Sequence, residues 1–190
     1  MENLVGVCIG IGLSAASGFR LFVPFLVLGV AQRAGIVPLG ENFQWMGGTP
    51  ALIAFSVALL LEVAAYYIPW LDNVLDTLAT PAAVAAGTLL TFSLIPEFSP
   101  FGKWSMALIA GGGVAGTVQA GSVAARGTSS ATTGGVGNPV LSTVELAGSV
   151  ALSLLSLAIP VVAVVLVLIL CFFILRASLR FFRRRRPSEA

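Results

Sequence analysis

Apolar stretches follow one another along this chain with little to separate them: Leu4 to about Val30, Ala51 to Trp70, Pro81 to Ile95, Trp104 to Ala125 and Leu146 to Leu175. Each is expected to be helical, because backbone N–H and C=O groups that face lipid have to be paired within their own segment. Polar and turn-forming residues collect at Gln32 to Gly48, Asp72 to Asp76 and Pro96 to Lys103, which read as connections. The last stretch, at about 1.5 Å per residue, would be roughly 45 Å long against a hydrocarbon core of about 30 Å. Pro160 is the natural place for it to kink, since proline removes a donor and crowds the preceding turn. The other reading is that Pro160 divides two crossings, although no polar turn residues flank it.

Two clusters of small residues, each with an arginine, interrupt the apolar pattern: Ser14 to Arg20 and Ala124 to Pro139. Small residues recur every fourth position at Gly6, Gly10, Ser14 and Gly18, and again at Gly112, Gly116, Ala120 and Ala124, with Arg20 and Arg126 two places further on. Such stripes let helix backbones approach closely, and packing alone accounts for them. Lying in the first and fourth crossings they would run in opposite directions, which suggests an inverted repeat of the kind transporters use.

Composition turns this pattern into a class. The chain is 57% hydrophobic and 9% charged, with a mean hydropathy of +1.01, where a soluble domain carries about 25% charged residues. The expected fold is an all-α polytopic transmembrane helical bundle with broken or re-entrant segments. Residues 1–182 form one transmembrane domain, in approximate halves 1–80 and 81–182, and 183–190 form a basic cytoplasmic tail. Met1-Glu-Asn lacks a basic leader, so the first apolar segment is expected to be retained. Arg176, Arg180 and Arg183 to Arg186 hold most of the positive charge. They read as the flank that keeps the last helix end in the cytoplasm, with attraction to anionic headgroups as a by-product, rather than as a nucleic-acid patch. With five crossings and this tail inside, Arg33 and Lys103 fall in the cytoplasm and Asp72 to Asp76 outside; six would reverse both. Five is therefore preferred, in the inner membrane, with the N-terminus out and the C-terminus in.

The chain has no histidine, which excludes Ser-His dyads and the common zinc hydrolase motifs. Cys8 and Cys171 lie in apolar stretches, where a thiol behaves as a small hydrophobe. No cofactor is called for.

Ionisable groups inside such a chain are costly and by default mark a polar path or a specific partner. Arg20, Arg126 and Glu62 are the candidates. A pairing of Glu62 with Arg20 would lower the cost of burying both. Glu62, Tyr66, Pro69, Asn73 and Asp76 share one face if a helix continues through Pro69. The pair would then line a translocation path with Tyr66, Ser17 and Gly18, or serve as a structural ion pair.

Gly127 to Ser142 is too polar to face lipid, and reads either as a partly re-entrant loop or as a plain exposed one. Within it, Gly134, Gly135 and Gly137 free the backbone to turn amides toward an anion, and Asn138-Pro139 opens the next helix. Ser142, Thr143 and Glu145 resemble a helix start, where a carboxylate complements the dipole. Asp72 and Asp76 have the spacing of two carboxylates that hold magnesium against a phosphate, but the rest of such a motif is absent.

Leu13-Ser-Ala-Ala-Ser-Gly-Phe-Arg-Leu-Phe-Val-Pro24, Glu62-Val-Ala-Ala-Tyr-Tyr-Ile-Pro-Trp-Leu-Asp72 with Asp76, and Thr133-Gly-Gly-Val-Gly-Asn-Pro139 with Glu145 together resemble an uncharacterised multi-pass integral membrane family, domain of unknown function 4126. The resemblance implies a small multi-pass membrane protein without an assigned reaction. It points to Gly18, Arg20, Pro24, Glu62, Pro69, Asp72, Asp76, Gly134, Asn138, Pro139 and Glu145 and gives none of them a role. Members often carry a lysine before the Ile-Pro pair, where this chain has Tyr67.

The functional expectation is a transporter or channel for a small or anionic solute. The alternative is a non-catalytic membrane scaffold or assembly factor that uses its small-residue stripes for partner helices; a lipid-modifying enzyme is the least supported. The partners expected are the lipid bilayer, the solute and a second copy of the chain, since a bundle this small offers little interior for a closed pathway.

Overall fold

The structure, a computed structural model, describes residues 2–68, 71–95 and 99–184. Its elements are α1 (Glu2–Phe19), α2 (Phe22–Arg33), a 3-10 helix (Glu41–Gly47), α3 (Thr49–Tyr66), α4 (Leu71–Leu94), α5 (Pro100–Met106), a π-helical stretch (Ala107–Gly112), α6 (Gly113–Thr133), α7 (Asn138–Ala158) and α8 (Pro160–Arg184). From α5 through α6 the helix is uninterrupted, Pro100–Thr133.

Among the described residues, five helices are long and apolar enough to cross a membrane: α3, α4 from Val74, the Pro100–Thr133 span, α7 and α8. Leu4–Phe19 and α2 are shorter apolar helices. They are not the five crossings that the apolar runs predict. The first run is broken at Arg20, where Pro24, in the first turn of α2, suits a helix start. The last run is divided: Ile159 leaves helical conformation, with φ −141° and ψ 73°, and α8 begins at Pro160. Asp72 to Asp76 belongs to α4 and is no connection. Nor does a helix continue from Glu62 to Asp76, because α3 ends at Tyr66; Pro69 lies outside the described residues.

Residues 127–142 form a helix–turn–helix and not the irregular loop that their polarity suggests. Residues 127–133 complete α6, a turn covers 134–137, and α7 opens at Asn138. The threonine hydroxyls of this polar segment are satisfied within the helix by carbonyls one turn back: Thr128 to Ala124 at 2.8 Å, Thr132 to Thr128 at 2.8 Å and Thr133 to Ser129 at 2.8 Å. Gly134 (φ 62°) and Gly135 (φ 89°) then adopt the left-handed backbone that ends the helix.

α1 is the axis of the bundle. It runs antiparallel to α4: Gly6 lies against the Leu94 carbonyl, Gly10 against Thr91, and Ser14 donates to the Gly87 carbonyl at 2.7 Å. α6 also runs antiparallel to α4, with Gly112 against Thr88 and Gly116 against Val84. The two stripe-bearing helices are therefore parallel to each other, and Gly18 meets Ala115 and Val118. This removes the inverted relation expected of them. Ala120 and Ala124, the rest of the second stripe, are exposed.

The remaining segments alternate in direction. α2 turns back from Arg20, so that Leu28 and Ala31 share an apolar cluster with Ile9, Leu13, Leu90 and Leu94. α3 runs against α2, with Phe55 beside Phe25 (5.4 Å between ring centroids) and Leu52 beside Gly29. α7 descends along α1, with Ser142 at Arg20, Ser149 at Ala16 and Ser156 at Gly12. α8 returns, with Ala163 near Gly12, Val167 packed with Ala15 and Val118, and Ile174 on Gly121. Arg33 and Lys103 consequently lie at the end opposite to the one α8 reaches, and not on the side of the arginine tail as the charge rule predicts.

Candidate functional site

The break between α1 and α2 creates the site. α2 begins with amides that have no carbonyl one turn behind them. The Leu21 and Phe22 N–H groups donate to the two oxygens of Glu62 on α3, at 2.8 and 3.2 Å. A carboxylate at a helix N-terminus is favourable by both hydrogen bonding and dipole. The expected Arg20–Glu62 pair is thus replaced: Glu62 caps a helix, and Arg20 turns toward α7.

Arg20 Nη2 donates to the Ser142 carbonyl at 2.9 Å and to Ser142 Oγ, and lies 3.5 Å from Glu145 Oε2. Arg126 Nη1 donates to Asp76 Oδ1 at 2.7 Å, and its Nη2 bonds the same Glu145 oxygen. Both guanidinium groups lie over the ring of Tyr66, 4.1 and 4.0 Å from its centroid. The Tyr66 hydroxyl donates to Asp76 at 3.4 Å. Glu145 is therefore no helix-start residue: α7 starts seven residues earlier, and Glu145 is a buried bridge between two cations.

Arg20 is 1% and Arg126 2% exposed. Their positive charges face Asp76 and Glu145, so the four groups balance, as burial of ions in a membrane interior requires. Asp76, Arg126 and Glu145 lie five to seven residues from the nearest ends of their helices, about 8–10 Å inside the bundle at 1.5 Å per residue.

The cluster is nevertheless not saturated. A guanidinium carries five N–H donors. Nε and Nη1 of Arg20 and Nε of Arg126 are buried with no hydrogen-bond partner among the described residues. A cleft of about 380 Å³ between α3 and α4, lined by Leu21, Phe22, Leu61, Glu62, Tyr66 and Leu78 among others, reaches the edge of the cluster from the side.

Other expected site residues lie elsewhere. Ser17 is buried a turn before Arg20 and donates to the Ser14 carbonyl at 2.7 Å. Gly18 serves close packing on α6. Gly134 and Gly135 stay in the α6–α7 turn, where the Gly137 N–H is taken by Thr133 Oγ1 at 3.1 Å, and Asn138 ties the turn down by donating to Ser130 at 3.0 Å. The Asp72 side chain lies outside the described residues. Among the described residues, no group of three or more His, Cys, Asp or Glu could hold a metal ion.

Sequence reasoning missed Gln119 and Ser122 on α6 and Ser149, Ser153 and Ser156 on α7, all buried. The signal was present: each continues the three- and four-residue spacing of Arg126 or Glu145.

A family model described as a domain of unknown function, DUF4126, matches residues 7–180. No curated protein and no solved structure matches the chain.

Proposed function

The chain belongs to this family of unknown function, and from that premise we propose that its buried arginine cluster is the binding site of a transporter for a small anionic solute. The observation that carries the reading is Arg20: a fully buried cation with two of its three nitrogens unengaged among the described residues. A purely structural ion pair gains from filling those donors. An anion binding there would compete with Glu145, which holds Arg20 only by a 3.5 Å ion pair and Arg126 by a hydrogen bond. Glu145 acts as the resident counter-ion that the solute displaces and that returns when it leaves.

In this reading the protein lies in the inner membrane with its arginine-rich end in the cytoplasm. The cluster then opens toward the cytoplasmic half, since α8 ends at the same end of the bundle. The scaffold alternative loses part of its basis, because Gly6, Gly10, Ser14 and Gly18 are occupied by α4 and α6 of the same chain.

The test is charge movement in proteoliposomes on a solid-supported membrane, challenged with a panel of small anions, for wild type and Arg20→Lys. Lysine keeps the charge but not the planar donor set. An anion-dependent current that falls about tenfold or more in the variant is expected, the loss of roughly one charge-assisted hydrogen bond. No current from well-folded wild type, together with one stoichiometric cross-linked partner, would replace this reading with the scaffold.

A further inference from the structure

Beside the arginine cluster α3 and α4 do not close on each other. The residues on the two sides of the gap are small, Ala58 and Ala65 on α3 and Ala79 and Ala82 on α4, and in lipid such residues normally bring helices into contact. Here they line the cleft of about 380 Å³ instead. Leu61 and Leu78 belong to the same lining and are 65% and 64% exposed. The cleft therefore opens sideways, toward the hydrocarbon that α3 and α4 are long and apolar enough to cross.

Two polar side chains line the cleft, Glu62 and Tyr66, and both belong to the site already described. The Tyr66 ring carries both guanidinium groups, and Leu21, the chain neighbour of Arg20, is part of the cleft wall. From Tyr66 the cleft runs to Ala58, 8 residues back along α3, about 12 Å of helix. The other lining residues are Leu, Ala and Phe, and a hydrophilic ion gains nothing by leaving water for such walls. At the cluster, by contrast, Arg20 keeps Nε and Nη1 buried and without a partner among the described residues. One end of the space suits a hydrocarbon chain, the other a negative charge.

We propose that the cleft holds the tail of an amphiphilic solute, a long-chain carboxylate, whose headgroup takes the unpaired donors of Arg20. Charge and size select this class. Arg20 and Arg126 face Asp76 and Glu145, while Glu62 is engaged by the Leu21 and Phe22 amides. A single negative charge can stand in for a displaced Glu145, whereas a doubly charged phosphate beside Asp76 exceeds the two cations. The cleft volume lies near the lower end of the roughly 300–1,000 Å³ of small-molecule sites, which suits one chain and not the two of a phospholipid. Such a solute is drawn from the bilayer, sideways between α3 and α4, and not from water along the bundle axis. In placing the headgroup at the arginine cluster, the inference rests on the transport reading.

The experiment reconstitutes the chain in phosphatidylcholine liposomes with palmitate that carries a photoreactive diazirine on its tail, and maps the labelled peptides by mass spectrometry. Label is expected on the facing sides of α3 and α4, removed by excess palmitate and far less by hexadecanol, which has the same chain without the charge. Ala58→Phe and Ala79→Phe fill the cleft from either helix and should each lower the labelling about tenfold or more, the consequence of overpacking that space. Leu60→Phe, on an exposed position of α3 outside the cleft lining, should leave it unchanged. Using both helices keeps the test open if one variant misfolds. Labelling that survives both fillings, or that hexadecanol, hexadecylamine or phosphatidylglycerol removes as well as palmitate does, overturns the proposal, since the cleft would then hold any membrane chain or a cation. Labelling needs no flux: a palmitate-specific cleft without anion current removes the transport reading alone, and current with an unlabelled cleft removes this inference alone.

Discussion

At the scale of residues, one carboxylate carries most of the electrostatic load. Glu145 Oε2 serves both arginines, and Asp76 pairs with Arg126. Glu145→Leu therefore takes from Arg20 its nearest counter-charge, and breaking a buried pair from one side costs about 3–5 kcal/mol. Adding Arg20→Met restores balance, with Arg126 still paired to Asp76, so the double variant should unfold at a higher temperature than Glu145→Leu in detergent. An equal or lower value would show that Arg20 is held by Ser142 rather than by charge. The sequence made Arg20, Glu62, Tyr66, Asp76, Arg126 and Glu145 visible, because ionisable groups stand out in an apolar chain. Which would pair did not follow. Glu62 is the nearer acid in the chain, but the end of α1 at Phe19 frees two amides that claim it. Pro24 was the available sign of that break.

At the scale of elements, close approach to α1 decides what the helices tolerate. A Cβ at Gly18 would lie 2.6 Å from the Ala115 carbonyl oxygen, whereas at Gly148 nothing lies within 4 Å. Gly18→Leu should destabilise the bundle by about 1–3 kcal/mol or more through overpacking, while Gly148→Leu should leave monodispersity and thermal unfolding unchanged. The small-residue stripe on α1 was legible as a packing face. Two other elements were not, for opposite reasons. The polar end of α6 looked like a loop, yet its Thr hydroxyls bond carbonyls of their own helix. The apolar run around Pro160 looked like one helix, yet it turns without any polar residue at Ile159.

At the scale of the whole molecule, α1, α2, α3, α4, the Pro100–Thr133 span, α7 and α8 alternate in direction, so the chain starts at one end of the bundle and finishes at the other. The α6–α7 turn and the entry to α5 lie at opposite ends. Phe101→Cys and Val136→Cys, both highly exposed, should thus react with an impermeant maleimide from opposite faces of the membrane; reaction from the same face would refute the alternation. Sequence patterning recovered the class and the helical content, because hydrocarbon permits few backbone solutions. The order of packing around α1 depends on contacts between distant residues, which periodicity does not encode.

The helices that enclose α1, namely α4, α6, α7 and α8, all emerge from the ribosome after it. Arg20 finds Ser142 122 residues later in the chain, which at roughly 5–20 residues per second is a wait on the order of ten seconds. Through that interval the nascent chain holds Arg20 without its nearest counter-ion, Glu145, and Gly12 without its neighbour Ser156. The newly made α1 must be sheltered at the translocation machinery or rest with Arg20 among the headgroups. Chains cut before Asn138 should be cleared by membrane proteases far faster than chains cut after Ala158, so completion of α7 is the step that turns a degradable intermediate into a protein.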